Sequence, residues 1–435
     1  MQKVDVLIVI EHVARELESA CLLKVALQQR GYLVAIDGIY PNKEKLPTRY
    51  QADYLLIPWA YHDHDMDFWE CFYHHSPNIQ IINLHHEQYS GNDSHNTTLP
   101  QDRSRKIYHL SWGTRFTEGL LTSGVDPSHI IPAGNLRLDF YRPPLTGLSQ
   151  NRTILAERFE LDAKKDWVLF IANAYHLMRP SERDNARRID QDIDTKSHIA
   201  KQNLTQFLTM VRQYLATNQD KIFIYRPHPA YAMRENENSE LKKLARQFPH
   251  QFKVIYANTL GDWILASQCC LSFHSTSGIE CSLAKIPFYL FRTTPLPDTL
   301  DYSFYRHFPN MIRNEEDFTW LMRTGGKPVD PALFAQHYYL QDQPAYELLI
   351  HWIETHHNQV HQTVSRKNIL QLQLKAYGKD TLRLLAKLPL FKSYFQTKQD
   401  GRWTRLLQTH DDLLDPAIVD ALCQKIQTII EEEHT

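Results

Sequence analysis

Two short motifs combine side chains that suit the binding of a phosphate group. Arg226 and His228 belong to an Arg-Pro-His-Pro motif, and a Ser-Thr-Ser-Gly turn lies about fifty residues further on. The guanidinium is a planar fork of donors that matches phosphate oxygens, and the imidazole adds a switchable donor. The turn adds hydroxyl and backbone N–H donors from Ser275, Thr276 and Ser277. Together the two motifs predict an anion site, suited to a nucleotide diphosphate.

Each motif also has a structural interpretation. Pro227 and Pro229 could simply fix a turn that His228 caps. Serine and threonine are favoured N-caps of helices, although one cap does not account for a cluster of three. Glu280, one helical turn further on, is a candidate acceptor for ribose hydroxyls.

An apolar, strand-like run precedes each motif: residues 221–225 end directly before Arg226, and residues 269–273 end two residues before Ser275. Side chains that bind ligands collect at the carboxyl ends of the strands in open α/β sheets. Strand and helix patterns also alternate from residue 4 onward, which predicts parallel sheets. A Pro- and Gly-rich stretch at residues 142–147 interrupts the alternation and indicates a linker.

We therefore predict an α/β protein of two Rossmann-like, doubly wound domains facing a cleft, with a helical C-terminal extension. The predicted boundaries are residues 1–145, 146–330 and 331–435. Within the extension, residues 379–398 are basic and amphipathic. This segment either packs on the domains or contacts anionic lipid.

Composition narrows the class of protein. The chain has 435 residues, 43% of them apolar, and a net charge of −2, which argues against a nucleic-acid partner. No apolar run reaches the ~18 residues needed to span a bilayer, and the N-terminus lacks the features of a signal peptide. Six cysteines without regular spacing fit reduced, buried thiols. We expect a cytoplasmic protein.

These motifs resemble those of bacterial surface carbohydrate biosynthesis proteins, which are glycosyltransferase-like enzymes of the GT-B type. The resemblance begins at residues 10–17 (IEHVAREL) and continues at residues 133–139 (AGNLRLD), where Leu136 and Leu138 replace the family's usual Pro and Phe. It ends with the Arg-Pro-His-Pro and Ser-Thr-Ser-Gly motifs and covers roughly residues 4–295. The same pair of motifs is similar to those of the Kdo transferases and the teichoic-acid polymerases, whose donors carry cytidine nucleotides.

The resemblance implies that Arg226, His228 and the Ser-Thr-Ser turn face the donor phosphate, with His228 also acting on the leaving nucleotide. Glu11 and Glu87 each follow a predicted strand and are alternative candidates for the catalytic base. Arg15 and Glu16, on the opening turn of a helix, are expected on the acceptor side. The alternative for this segment is ordinary helix-terminal charge, with an ion pair between Glu11 and Arg15.

Several histidines lie close together in the sequence, for example at residues 62, 64, 74, 75, 85 and 86. Adjacent residues in a strand point to opposite faces, and no short zinc spacing is present, so we expect no metal site. We expect no cofactor either, because the nucleotide-sugar is a substrate.

The expected function is transfer of a sugar from a nucleotide-activated donor, with a CMP or CDP link as one option, to a capsule, O-antigen or other bacterial surface glycan. The acceptor would be a glycan or a lipid-linked molecule, and peripheral association with the inner membrane is compatible with this. Two alternatives stay open at this point. One is a CDP-polyol phosphotransferase of the teichoic-acid type, and the other is a non-catalytic subunit of a glycan-assembly complex.

Overall fold

The computed structural model describes most of the chain. The described residues are 1–41, 43–86, 99–173, 175, 178, 183–184, 186–187, 191–228, 238–356, 364, 366–386 and 413–433. They divide into two compact units. Unit 1 comprises the described residues of 1–89, 98–139 and 341–435, and unit 2 comprises those of 140–340. The C-terminal helices therefore belong to the same unit as the N-terminus.

The strands among the described residues are short and mostly buried. They are β1 (Gln2–Lys3), β2 (Val6–Ile10), β3 (Val34–Gly38), β4 (Tyr50–Gln51), β5 (Tyr54–Ile57), β6 (Gln80–Asn83), β7 (Tyr108–Leu110), β8 (Ile130–Ile131), β9 (Asp166–Ile171), β10 (Lys221–Arg226), β11 (Phe252–Val254), β12 (Cys269–Ser272), β13 (Phe288–Phe291) and β14 (Met311–Ile312).

Helices lie between most of the strands and form the C-terminal part of the described chain. They are α1 (Val13–Gln29), α2 (Leu46–Arg49), α3 (Asp63–Trp69), α4 (Thr114–Thr122), α5 (Arg152–Phe159), α6 (Ile193–Thr217), α7 (Ser239–Gln247), α8 (Leu260–Ala266), α9 (Gly278–Leu283), α10 (Glu315–Thr324), α11 (Ala345–Thr355), α12 (Arg366–Ala386) and α13 (Pro416–Glu433).

Unit 1 is built on a parallel sheet in the order β3-β2-β5-β6-β7-β8. Every residue of β2 is buried, as expected for a parallel strand covered on both faces. The first crossover helix, α1, buries Leu17, Cys21 and Leu27. It ends at Gln29, and Gly31 follows two residues later with a φ of 88° that glycine adopts at little cost.

Unit 2 repeats this architecture with the order β11-β10-β9-β12-β13-β14, again parallel throughout. Its core packs aromatic side chains of the sheet against those of α6, with Phe170 and Phe207 stacked at 4.1 Å between ring centroids. Two parallel sheets covered by helices confirm the predicted α/β class, and the helical C-terminal segment is also present.

Two details differ from the prediction. β1 pairs with β4 in a small parallel ladder that the sequence pattern did not indicate. The apolar spacing of residues 199–216 predicts a helix, and the observed helix α6 begins six residues earlier, at Ile193, where Ile193 and Lys196 are both buried. The predicted amphipathic segment at residues 379–398 overlaps α12 only as far as residue 386, and residues 387–398 lie outside the described part of the chain.

Candidate functional site

The register of the unit 2 sheet brings the two predicted motifs to one edge. Arg226, the last residue of β10, is paired with Ile171 of β9, and Ile171 is paired with Ser272 of β12. Neighbouring parallel strands lie ~4.8 Å apart, so these ends are separated by one strand, or about 10 Å. The Arg-Pro-His-Pro motif and the Ser-Thr-Ser-Gly turn therefore flank the carboxyl end of β9, where open α/β sheets bind their ligands.

The guanidinium of Arg226 is hydrogen-bonded to the loop that follows β11. It donates to the carbonyl oxygens of Tyr256 (2.9 Å), Ala257 (3.0 Å) and Asn258 (2.6 Å). Burial lowers the pKa of Arg226 to about 10, which still leaves the side chain charged at neutral pH. The negative charge of Asp262 acts in the opposite direction and raises the pKa of Arg226, but this carboxylate accepts hydrogen bonds from Asn258 and Thr259. A guanidinium has five N–H donors, so two remain without a protein partner in the described residues.

His228 lies two residues beyond Arg226 at the same edge. Pro227 is buried between them, and the ring of His228 is half-buried. Pro227 has no backbone N–H to donate to the sheet, and His228 therefore lies where the strand has ended. Pro229, the last residue of the motif, lies outside the described residues.

The Ser-Thr-Ser-Gly turn is closed by its own hydroxyls. The Oγ atoms of Ser275 and Ser277 are 2.9 Å apart, and the backbone N–H of Ser277 donates to Ser275 Oγ at 3.2 Å. The Tyr305 hydroxyl donates to the Ser275 carbonyl at 2.5 Å. A side chain at Gly278 would collide with that hydroxyl and lie 3.1 Å from the Phe288 ring, so only glycine lets α9 start here.

Thr276 lies at the tip of this turn and is half-buried. Glu280 is 6% exposed, and one of its carboxylate oxygens accepts from the Tyr141 hydroxyl at 3.4 Å. The sheet edge and the turn therefore gather Arg226, His228 and the three hydroxyl residues, whereas Glu280 points into the interior of unit 2.

His274, which precedes the turn, is a feature that the sequence analysis missed. Its ring is stacked on Tyr302 at 3.9 Å between centroids, and neither ring nitrogen has a hydrogen-bond partner among the described residues. Burial lowers the pKa of His274 well below its usual value, and the positive charges of Arg292 and Lys196 lower it further. The ring is therefore neutral at physiological pH, directly behind the predicted phosphate-binding turn.

Two cations and one carboxylate surround this histidine. Arg292 donates to both carboxylate oxygens of Asp301 at 3.0 Å each and to the Phe273 carbonyl at 2.7 Å. Lys196, in the first turn of α6, is 2% exposed. The position of His274 directly before the turn is visible in the sequence. The charged neighbours of His274 are not, because they lie up to 78 residues away in the chain.

In unit 1, the predicted acceptor-side residues form a second cluster at the end of β2. Glu11 Oε2 accepts from the Trp59 indole N–H at 2.6 Å. Glu16 is fully buried and accepts from the backbone N–H of Glu11 at 2.7 Å and from Arg15 at 2.7 and 3.1 Å. Burial raises the pKa of Glu16, but His86, Arg15 and the Glu11 N–H outweigh it and lower the pKa overall. Glu16 and Arg15 therefore hold Glu11 in position.

Glu87, the other predicted base, lies outside the described residues. The residues just before it contain a buried relay that the sequence did not reveal. His85 Nε2 is 2.9 Å from His109 Nδ1, and His109 Nε2 is 2.9 Å from the Ser104 carbonyl. Because that carbonyl only accepts, His109 donates to it and accepts from His85, which leaves Nδ1 of His85 as an acceptor without a partner in the described residues. Burial lowers the pKa of His109 to about 3 and that of His85 well below its usual value.

Among the described residues, no group of three or more His, Cys, Asp or Glu side chains has an arrangement that could hold a metal ion. None of the described helices is long and apolar enough to cross a membrane.

Sequence comparisons give no match, either to a protein-family model or to a curated protein. Solved structures do match. A candidate UDP-N-acetylglucosamine 2-epimerase from Listeria monocytogenes aligns with a TM-score of 0.50 at 13% identity and covers 84% of this chain and 100% of that one. A variant of the wall teichoic acid polymerase TagF aligns with a TM-score of 0.51 at 12% identity, covering 85% of this chain and 89% of that one. At such low identity the similarity concerns the fold, and it shows that this chain has the α/β architecture of the GT-B type.

Proposed function

We propose that this protein is a glycosyltransferase that moves a sugar from a nucleotide-activated donor to a bacterial surface glycan. The observation that carries the proposal is the placement of Arg226, His228 and the Ser-Thr-Ser turn on the two sides of β9, at the ligand-binding edge of the unit 2 sheet. The GT-B fold, shared with a wall teichoic acid polymerase, is compatible with it.

The charge of Arg226 supports a phosphate ligand. Its three bonds to backbone carbonyls fix the guanidinium but do not neutralise it. When the bond from the sugar to the donor phosphate breaks, negative charge grows on the leaving phosphate oxygen. A fixed cation and N–H or O–H donors of His228, Ser275 and Thr276 stabilise that charge without reorganising. With these groups in place, the nucleotide would leave without a bound metal, while the sugar passes to the acceptor.

Glu11 is the described candidate for the acceptor side. Its position is fixed by the indole of Trp59 and by Glu16, which accepts from its backbone N–H. A carboxylate held in this way suits the removal of a proton from an acceptor hydroxyl, on a glycan or a lipid-linked molecule. Glu87 is the alternative base, and Glu280 stays a candidate for the ribose hydroxyls.

Nucleotide binding is the first test. Thermal unfolding of the full chain with CMP, CDP, UDP or GDP should show a raised midpoint with the nucleotide of the donor, because a ligand that binds only the folded state stabilises it. At one hundred times the dissociation constant the gain is about 2.7 kcal/mol. No shift with any nucleotide would favour a non-catalytic subunit and contradict the proposal.

The His228→Ala variant tests the site itself. It should lose transfer by about a hundredfold or more, as expected when a donor to a developing charge is removed, while the unfolding midpoint stays unchanged. His198→Ala, at an exposed position on α6, is the matched control and should keep full activity. Equal activity of the two variants would overturn the role of His228. Analysis of the product distinguishes the two possible reactions. A glycosidic link indicates sugar transfer, whereas a phosphodiester link indicates polyol-phosphate transfer.

A further inference from the structure

Helix α12 has two opposite apolar faces, and among the described residues only one of them packs on unit 1. Ile369, Leu372 and Ala376 are each 6% exposed; the two larger side chains belong to the hydrophobic core of unit 1. An ion pair from Lys379 to Glu44 (2.5 Å) and another between Asp380 and Lys45 hold the helix in this orientation.

The opposite face carries large apolar side chains in solvent. Leu370, Leu374, Tyr377 and Leu384 are 57%, 62%, 72% and 66% exposed. Spacings of four, three and seven residues place all four on one side of the helix, which we call the outer face of α12. Single exposed apolar residues are ordinary, but an aligned row of four is a sign of an interaction surface.

The charge of this region is opposite to that of the whole protein. Residues 366–398 contain eight lysines and arginines and one aspartate, a net charge of +7, whereas the chain as a whole carries −2. The remaining residues therefore sum to −9. Within the described helix, Lys367 and Lys375 are exposed beside or near the apolar row.

We propose that the outer face of α12 docks on the surface of an anionic lipid bilayer. Apolar side chains enter the boundary between headgroups and acyl chains, an aromatic hydroxyl such as that of Tyr377 stays at headgroup level, and cations meet the anionic lipids. A second copy of the chain fits less well, because a twofold contact would set the same basic segments against each other. The helix lies in the interface plane and does not span the bilayer.

Vesicle binding by the full chain tests the proposal, independently of any transferase activity. The protein should co-sediment with vesicles of phosphatidylcholine and phosphatidylglycerol, less well with phosphatidylcholine alone, and less well as salt is raised. The double variant Leu374→Glu, Tyr377→Glu should bind about tenfold more weakly or worse, since it removes two inserting side chains and adds two negative charges. Lys367→Glu should weaken binding by about fivefold, a change that reports charge alone.

Ile154→Glu is the matched control, because Ile154 is 51% exposed on α5 of unit 2. It introduces the same kind of change away from the proposed surface and should bind vesicles like the original protein. All variants should keep the original unfolding midpoint, since the changed side chains lie in solvent. Equal binding to both vesicle types, or unchanged binding by the double variant, would overturn the proposal. So would a dimer of the original protein that the double variant dissociates, which would assign the outer face to self-association.

Discussion

At the scale of single residues, Arg226 combines a structural role with a charge that suits ligand binding. Three carbonyls of the loop after β11 fix its guanidinium, which is a structural role. The same contacts hold a net positive charge at the carboxyl end of a central strand, which is what an anion site requires. Replacement by lysine would keep the charge but could not reproduce the planar fork that reaches three acceptors at once.

Substitution of Gly278 tests how tightly the Ser-Thr-Ser-Gly turn after β12 is packed. In Gly278→Ala the new methyl group would collide with the Tyr305 hydroxyl, so we expect a loss of about 1–3 kcal/mol in the free energy of unfolding. Removing that hydroxyl in Tyr305→Phe costs stability by itself, because it donates to the Ser275 carbonyl. In the double variant Gly278→Ala, Tyr305→Phe the hydroxyl is gone and the collision is relieved. The double variant should therefore lose less stability than the sum of the two single variants. Urea unfolding of the original protein, the two single variants and the double variant measures this difference in the free energy of unfolding.

Gly378→Ala is the control for this prediction. A methyl group at Gly378, within α12, meets no atom within 4 Å. Alanine is the better helix former, so this variant should be as stable as the original protein or gain up to about 1 kcal/mol. Strictly additive losses for the Gly278 and Tyr305 variants would mean that the steric contact does not shape the turn.

Some residues of the candidate site could be predicted from the sequence and others could not. The difference depends on how far away in the chain their neighbours lie. Arg226 and Ser275 were predictable, because each lies within two residues of the end of an apolar run that is visible in the sequence. His274 and the His85–His109 relay were not, because their significance comes from the burial of the rings and from neighbours that lie far away in the sequence. Burial of a single polar ring depends on the packing of the whole unit, which local patterns do not report.

At the scale of elements, the buried central strands were the most predictable. β2, β9 and β10 are continuous apolar runs because parallel strands are covered on both faces. The two-residue strands β1 and β4 carry no such signal, since each is too short to form an apolar run and both residues of β1 are exposed. The C-terminal helices were predicted as helices, but their attachment to unit 1 depends on tertiary contacts.

Helix α13 shows how this attachment is made, and it gives a prediction at the same scale. It packs on α1, where Cys21 Sγ contacts the Val419 carbonyl at 3.9 Å, and Ile426 is fully buried. Ile426→Ala should lower the free energy of unfolding of unit 1 by about 2–5 kcal/mol, because it leaves a cavity between the helices. Ile418→Ala removes the same atoms from a side chain that is 54% exposed on the same helix. It should cost less than about 0.5 kcal/mol, and similar denaturant midpoints for the two variants would show that α13 is not docked.

At the scale of the whole molecule, both units enclose neutral histidines. Burial depresses the pKa values of His85 and His109 in unit 1 and of His274 in unit 2. An unfolded chain binds a proton at each of these positions below about pH 6.5, whereas the folded chain does not. Unfolding therefore takes up protons, and the stability that is present above pH 6.5 is lost as the pH falls below it. The buried carboxylate of Glu16 does not contribute to the change of stability between pH 5 and 6.5. Its pKa is lowered from a usual value of 4.5, so it stays ionised throughout this range.

His274→Phe isolates one of these contributions. The phenyl ring can keep the stacking on Tyr302, and no hydrogen bond within the described residues is lost, because neither nitrogen of His274 has a partner there. We expect unchanged or higher stability at pH 7 and a smaller loss on acidification. Below about pH 6.5 the difference should approach 1.4 kcal/mol per pH unit, the value for one proton. Denaturant unfolding of unit 2 at several pH values measures this slope. His64→Gln, at a side chain that is 75% exposed, should leave the slope as it is, and an equally steep slope in His274→Phe would mean that His274 is already protonated in the folded protein.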